Sequence, residues 1–226
     1  MIFEMLKINE IFETIQGEGV FTGVPSVFIR LQGCPVGCPW CDTKHTWEVN
    51  LEDNVSMSQL LAKQEDSANW NQLETTEITN LLKAQNYSAK HIVITGGEPC
   101  MHDLQDLTKS LNSEGYSTQI ETSGTYEINC SDATWVTVSP KINMPGGYGI
   151  KAQAMQRANE IKHPIAMQKH IDELLQLMSD FPPSDDVQIA LQPISQIPRA
   201  TELAIKTCIQ RNWRLSLQTH KYLGIE

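Results

Sequence analysis

The sequence predicts an α/β protein: an incomplete barrel of parallel strands, (β/α)6 in type. Three observations predict it. Short apolar, β-rich runs recur along the chain with helix-period stretches between most of them, the pattern of parallel strands joined by crossover helices. Each run ends in polar residues, all but the last marked by Gly or Pro, and in parallel α/β folds such ends share one face. The chain has 226 residues and is 40% hydrophobic. That is enough to bury one core, so a single domain over residues 1–226 is the simplest division.

The first strand is expected at Pro25–Leu31, the second at His91–Thr95 and the third at Ser117–Glu121. Trp135–Val138, Val187–Leu191 and Arg214–Leu217 follow. Helical stripes lie between them: Ile78, Leu81 and Leu82; Leu104, Leu107 and Leu111; Ile171, Leu174, Leu175 and Met178. Asp103 sits where an N-cap belongs, and Gly115 where the same helix should stop. Ala204, Ile205, Cys208 and Ile209 are expected to form the buried face of the last helix. The stretch Lys44–Lys90 is too long for a short crossover. With two helical stretches inside it, it reads as an insertion, either a lid or a docking surface.

Charge and termini narrow the function. The net charge of −10 argues against a broad electrostatic grip on nucleic acid. The N-terminal stretch Met1–Lys7 has no positive start followed by an apolar run, so no leader is read there. No apolar run approaches the length of a membrane span, and the expected location is cytoplasmic. Cys100, Cys130 and Cys208 are scattered singly and read as small buried thiols.

The other three cysteines are different. Cys34, Cys38 and Cys41 fall within eight residues directly after the first strand, and Gly33, Pro35, Gly37 and Pro39 supply sharp turns. Such a loop can turn three thiolates onto one metal centre. A cube of four irons held at three corners leaves one iron open to a ligand. Tetrahedral zinc, with His45 as fourth donor, is the alternative. A disulfide is disfavoured by the odd number of cysteines in the loop.

The strand ends surround this loop: Gln32-Gly33-Cys34, Thr95-Gly96-Gly97-Glu98-Pro99, Glu121-Thr122-Ser123-Gly124, Ser139-Pro140-Lys141, Gln192-Pro193 and Gln218-Thr219-His220-Lys221. Six such ends on one rim describe one large site. Arg30 interrupts a strand that should be buried on both faces, where an unpaired cation is costly. A bidentate grip on a substrate carboxylate resolves that cost, and so would an ion pair with Glu18 or Glu121.

The three-cysteine loop together with Gly96-Gly97-Glu98-Pro99 resembles the radical S-adenosylmethionine superfamily. Thr14-Ile15-Gln16-Gly17-Glu18-Gly19, the run Gly23–Leu31, Cys41-Asp42-Thr43, Glu121-Thr122-Ser123-Gly124 and Val138-Ser139-Pro140-Lys141 are similar, in the same order, to the 7-carboxy-7-deazaguanine synthases. The likeness runs from about Ile8 to Lys221. It implies a radical S-adenosylmethionine fold and a [4Fe-4S] cluster on Cys34, Cys38 and Cys41. It also implies S-adenosylmethionine held by Trp40, Cys41, Asp42, Gly97, Glu98, Ser139, Pro140, Lys141 and Gln192. A pterin would be held at Ile15, Gln16, Gly17, Arg30 and Thr95, and Mg2+ at Thr43. Without the resemblance, Gln16-Gly17 reads as a turn, and Asp42-Thr43 as a capping or turn pair. The implied reaction is ring contraction of 6-carboxy-5,6,7,8-tetrahydropterin to 7-carboxy-7-deazaguanine with loss of ammonia, feeding the queuosine base of tRNA. A flavodoxin-type reductant and a homodimer are implied as partners. Glu121 and His220 are rim residues suited to proton transfer, orientation or a structural hydrogen bond. A glycyl-radical activase is the other radical enzyme to weigh, and the scattered Cys100, Cys130 and Cys208 count against it.

Overall fold

The computed structural model describes residues 5–194 and 197–225. Residues 1–4, where the N-terminal stretch read for a leader begins, lie outside them. Among the described residues the strands are β1 Met5–Ile15, β2 Pro25–Leu31, β3 Asn71–Glu74, β4 His91–Gly96, β5 Ser117–Thr122, β6 Trp135–Val138, β7 Glu160–Ile165, β8 Gln188–Pro193 and β9 Arg214–Leu215. They form one sheet in the order β3-β1-β2-β4-β5-β6-β7-β8-β9. From β2 to β9 every neighbouring pair is parallel. β1 runs antiparallel to both β2 and β3. The sheet keeps two edges, so the barrel is incomplete.

All six expected strands are present, and three more accompany them. β1 escapes period-2 reading because its register shifts between Ile8 and Glu10. The shift buries Asn9, whose amide donates to Gln32 Oε1 at 2.7 Å. β7 escapes because its inward face is polar: Glu160, Lys162 and Pro164 alternate with Ile161, His163 and Ile165.

The helices are α1 Met57–Leu61, α2 Thr75–Ala84, α3 Gln105–Ser113, α4 Ala152–Arg157, α5 Gln168–Asp180, α6 Pro198–Arg211 and α7 Thr219–Leu223. Their expected stripes join Val27, Ile29 and Leu31 of β2 in one apolar core. α3 stops where expected but does not start as expected: its N-cap is Leu104, without a side-chain bond, and Asp103 lies one residue earlier. Asp103 Oδ1 accepts from Gln105 N at 2.9 Å, and the helix closes at Gly115 (φ +85°), with Gly115 N donating to Asn112 O and Tyr116 N to Leu111 O. This is a Schellman motif.

Two further expectations need correction. On α6 the buried face is Ala200, Ala204, Thr207 and Cys208, while Ile205 and Ile209 face outward, the latter 77% exposed. Small residues let the helix lie close on β8, and that rotates the isoleucines away. Nor is β2 buried on both faces: Val27, Ile29 and Leu31 point into the core, whereas Phe28 and Arg30 are only half-buried on the inner side.

The 44–90 stretch also proves mixed. Its second half supplies the edge strand β3 and the helix α2, which lead the chain into β4. Its first half holds α1, opened by a Ser56–Gln59 capping box. Trp70, 2% exposed, donates from Nε1 to Asn50 O at 3.0 Å and pins this half together.

A Cβ at Gly115 would meet nothing within 4 Å, so Gly115→Ala should cost only the left-handed backbone penalty, about 1–2 kcal/mol. Ile29→Ala, which leaves a hole in the core, should cost about 2–5 kcal/mol. Urea unfolding of both variants checks the ordering.

Candidate active site

The carboxyl ends of the parallel strands open into one cavity of about 550 Å³. Every parallel strand contributes to its wall, near its end or just beyond: Arg30 from β2, Thr95 from β4, Glu121 from β5, Ser139 and Lys141 after β6, Pro164 and, midway along the strand, Lys162 from β7, Gln192 from β8, and Gln218 and His220 after β9. Among the residues singled out from sequence, Ile15, Gln16, Gly17, Cys34, Cys38, Trp40, Cys41, Asp42, Thr43, Gly97 and Glu98 also line it, and Pro140 does not. Lys162, Glu10, Phe12, Phe28 and Asp66 line it as well and were missed. Lys162 was hidden by its charged strand. Asp66 could not have been found, because only the folded 44–70 segment brings it to the wall.

The cysteine loop is held at both ends. Gly33 N donates to Thr46 O at 2.7 Å, Cys34 N to Trp47 O at 3.0 Å, and Gly146 N to Val36 O at 3.1 Å. All six cysteines are free thiols. Burial pushes the Cys34 thiol up to about 11 and raises Cys38 as well, so a bound metal must displace their protons. Among the described residues, no three His, Cys, Asp or Glu side chains close on a single ion. His45 does not line the cavity; its Nδ1 lies 3.9 Å from Asp66 Oδ2 and its buried Nε2 has no partner. The Cys₃His zinc arrangement is therefore not formed. Three thiols lining one cavity suit a cluster whose separate irons each take one thiolate.

The Gly-Gly-Glu turn is pressed against this loop. Gly97 N donates to Leu31 O and Glu98 N to Gly33 O, both at 2.8 Å. A Cβ on Gly97 would overlap Gly33 O. The Glu98 carboxylate is already saturated. It accepts from Cys100 N at 3.0 Å, Thr122 Oγ1 at 2.6 Å, Ser123 N at 2.8 Å and Ser123 Oγ. Its side chain braces β4 against β5, leaving the backbone of the turn as the part free to receive a ligand. Across the cavity, Lys141 Nζ donates to Ser139 Oγ at 3.0 Å.

Arg30 is paired, though with neither Glu18 nor Glu121. The bulge in β1 sets Glu10 opposite it, and its Nε donates to Glu10 Oε1. The guanidinium also lies 5.6 Å from the centroid of Phe12, which stacks on Phe28 at 5.4 Å. The Gln16 side chain points inward, donating to Gln119 Oε1 at 3.3 Å and accepting from Glu18 N at 3.1 Å. Thr43 precedes a short 3-10 turn without capping it through its side chain. Its Oγ1 lies 3.6 Å from Cys41 Sγ. Asp42 meets Lys221 Nζ at 3.2 Å, and Gln192 Nε2 donates to Glu18 Oε1 at 3.3 Å.

Below these groups lies a buried ion cluster. Lys162 Nζ donates to Glu18 Oε2 at 2.7 Å and to Glu121 Oε2 at 2.9 Å. Burial alone would raise the Glu18 carboxyl, but the charge and hydrogen bond of Lys162, aided by a hydrogen bond from Gln218, hold it down to about 2. For Glu121 burial prevails over Lys162, and the Glu18 and Glu160 carboxylates add to it, pushing this carboxyl up to about 7. Lys162, buried among carboxylates, is held well above the ordinary lysine value in spite of its burial.

Cys38→Ala should abolish iron incorporation on anaerobic reconstitution, whereas His45→Ala should retain the iron and the brown colour of the parent protein. Iron and zinc analysis of both variants distinguishes a cluster from a zinc site.

Comparison with known proteins agrees with this arrangement. Residues 28–130 match the Radical SAM superfamily. The 7-carboxy-7-deazaguanine synthase of Escherichia coli (strain K12) is 57% identical over 218 residues, covering 96% of this chain and 98% of its own. That of Buchnera aphidicola subsp. Schizaphis graminum is 50% identical over the same shares of both chains. The crystal structure of QueE from Escherichia coli superposes with a TM-score of 0.92 at 55% identity, covering 94% of this chain and 93% of that one. Full-length identity of this order, on a barrel whose open end gathers three free thiols beside a Gly-Gly-Glu turn, means that the chain belongs to the 7-carboxy-7-deazaguanine synthase family of radical S-adenosylmethionine enzymes.

Proposed function

We propose that this chain is a radical S-adenosylmethionine lyase that converts 6-carboxy-5,6,7,8-tetrahydropterin to 7-carboxy-7-deazaguanine with release of ammonia, in the synthesis of the queuosine base. The observation that carries the reading is the single cavity into which Cys34, Cys38 and Cys41, the Gly96–Glu98 turn and Arg30 all open. A [4Fe-4S] cluster on the three thiolates and S-adenosylmethionine belong to this family, and together they supply hydrogen-atom abstraction when bound. This chain's own residues bind, orient and shield.

Trp40, Cys41, Asp42, Gly97, Glu98, Ser139, Pro140, Lys141 and Gln192 form the cofactor side of the cavity. Backbone groups at Gly97 and Glu98 accept from the methionyl ammonium, and Lys141, next to Ser139, offers a cation to its carboxylate. Pro140 does not reach the wall itself and acts by spacing Ser139 and Lys141, which do. On the substrate side, Ile15, Gln16, Gly17 and Thr95 frame the pterin. Among the described residues only the Nε of Arg30 has a hydrogen-bond partner, which leaves the terminal nitrogens of the fork for the substrate carboxylate. The Thr43 hydroxyl, spared from capping, supplies an oxygen donor to Mg2+, a metal that keeps several waters and bridges readily to a substrate carboxylate. One domain over residues 1–226, a homodimeric state, a flavodoxin-type reductant and a cytoplasmic location complete the reading. No described helix is long and apolar enough to cross a membrane.

Anaerobic incubation with the carboxypterin, S-adenosylmethionine, Mg2+ and a chemical reductant should yield 7-carboxy-7-deazaguanine, detected by mass; 5′-deoxyadenosine without that product would reject the substrate. Arg30→Lys should raise the KM for the pterin about tenfold or more, for the loss of a hydrogen bond to a charged group, and leave the KM for S-adenosylmethionine unchanged. Thr43→Ala should alter the Mg2+ dependence of turnover in a metal titration, and an unchanged response would remove that ligand.

A further inference from the structure

The charged cluster in the cavity floor is out of balance. Three carboxylates, Glu18, Glu121 and Glu160, surround one ammonium, Lys162. All are withdrawn from solvent: Lys162 is 6% exposed at its side chain, Glu121 15% and Glu18 18%, and Glu160 is fully buried. Two uncompensated negative charges in such a place are costly. Either one carboxyl keeps a proton or a ligand brings one.

Hydrogen bonds decide which carboxyl it is. Glu18 accepts from Lys162 Nζ and also from Gln218 Nε2 at 2.9 Å and Gln192 Nε2 at 3.3 Å, with His220 nearby as a further source of positive charge. Glu160 accepts from Thr137 Oγ1 at 3.1 Å and from Val20 N at 3.2 Å, off the cavity wall. Among the described residues Glu121 has only Lys162 Nζ and, on its other oxygen, Gln119 Nε2 at 2.9 Å, and it faces the charge of both other carboxylates. It is the least stabilised anion of the three, and it lines the cavity.

We propose that Lys162 is a positioning residue for the reaction: it fixes Glu18 as a permanent anion and Glu121 as the carboxyl that exchanges a proton with the bound substrate. This rests on the reading of the chain as an ammonia-releasing lyase. When the carbon–nitrogen bond breaks, nitrogen keeps that electron pair and takes the proton from Glu121, while a neighbouring C–H bond gives its electron pair to the new C=C bond and its proton to solvent. The resulting carboxylate is held by Lys162 at 2.9 Å until solvent returns a proton. Lys162 touches neither substrate nor cofactor in this role, and acts through the two carboxylates.

The test uses the cluster-loaded enzyme. Infrared titration from pH 5 to 9 should reveal a buried protonated carboxyl whose band disappears as pH rises, and Glu121→Gln should erase it and lower kcat about 100-fold or more. Lys162→Met, which removes the cation, should move the midpoint of that titration and the alkaline limb of kcat to higher pH by a unit or more. Glu18→Gln, which removes a neighbouring anion, should move both to lower pH. Lys162→Arg should keep the midpoint near that of the parent enzyme. A purely structural Lys162 would lower the melting temperature without moving the midpoint. Should Lys162→Met fail to fold, the Glu18→Gln shift decides the matter. A band that survives Glu121→Gln, or a midpoint unmoved by loss of the neighbouring charge, overturns the proposal. The infrared arm needs no substrate, so it is independent of whether the carboxypterin is turned over.

Discussion

Gly33 and Gly97 allow two backbones to meet where side chains would hold them apart. The chain leaving β2 as the cysteine loop is bonded to the chain leaving β4 through Gly97 N to Leu31 O and Glu98 N to Gly33 O. The absence of a Cβ at Gly97 makes that approach sterically allowed. From this junction the thiols, the Gly-Gly-Glu turn and Arg30 acquire fixed relative positions. The saturated Glu98 carboxylate then carries the alignment to Thr122 and Ser123 at the end of β5. Orientation in the cavity thus begins with a hydrogen-bonded backbone crossing, on rigid strand ends, and needs little from mobile side chains.

A second constraint is electrostatic. The inner side of the barrel is not an apolar core. Gln16, Gln119, His91, Thr137 and Glu160 form a bonded chain beneath the cavity, and His91 continues it to Ser117 at 2.9 Å. Such a network is stable only when its members are satisfied, and here it holds the carboxylates of the floor at defined distances from Lys162. The apolar cluster that stabilises the fold lies on the other side of the sheet, against the helices. Folding and chemistry therefore occupy opposite faces of the same strands, alternating residue by residue along β2 and β7.

That division explains what could be read from the residues alone. The six expected strands carry apolar residues on the helix-facing side, and the rim was legible because Gly, Pro and polar residues mark every strand end. The thiol loop and Arg30 stood out as residue types that are costly or idle anywhere else. β7 did not, because a strand whose inner face is charged looks like a loop, and Lys162 went with it. β1 was lost to a bulge that shifts its alternation by one residue, and with it went Glu10, the partner of Arg30. Ile205 and Ile209 fit a helical stripe, yet the alanines beside them permit closer packing on the sheet and so take the buried face. Pairings across the barrel, such as Glu18 with Lys162, depend on register between strands that the linear order does not encode.

The barrel stops short of closing between the Gln16–Glu18 turn and the segment after β9. Among the described residues, one backbone hydrogen bond crosses that gap, from Thr219 N to Gly17 O, assisted by side-chain bonds such as Gln218 to Glu18 and Gly19 N to Ser216 Oγ. Every other neighbouring pair around the wall is stitched by a ladder of backbone bonds. A bulky guest arriving from this side therefore meets a seam that parts for a few bonds, and the reseating of Gln218 on Glu18 links its closing to the same carboxylate that shares Lys162 with Glu121.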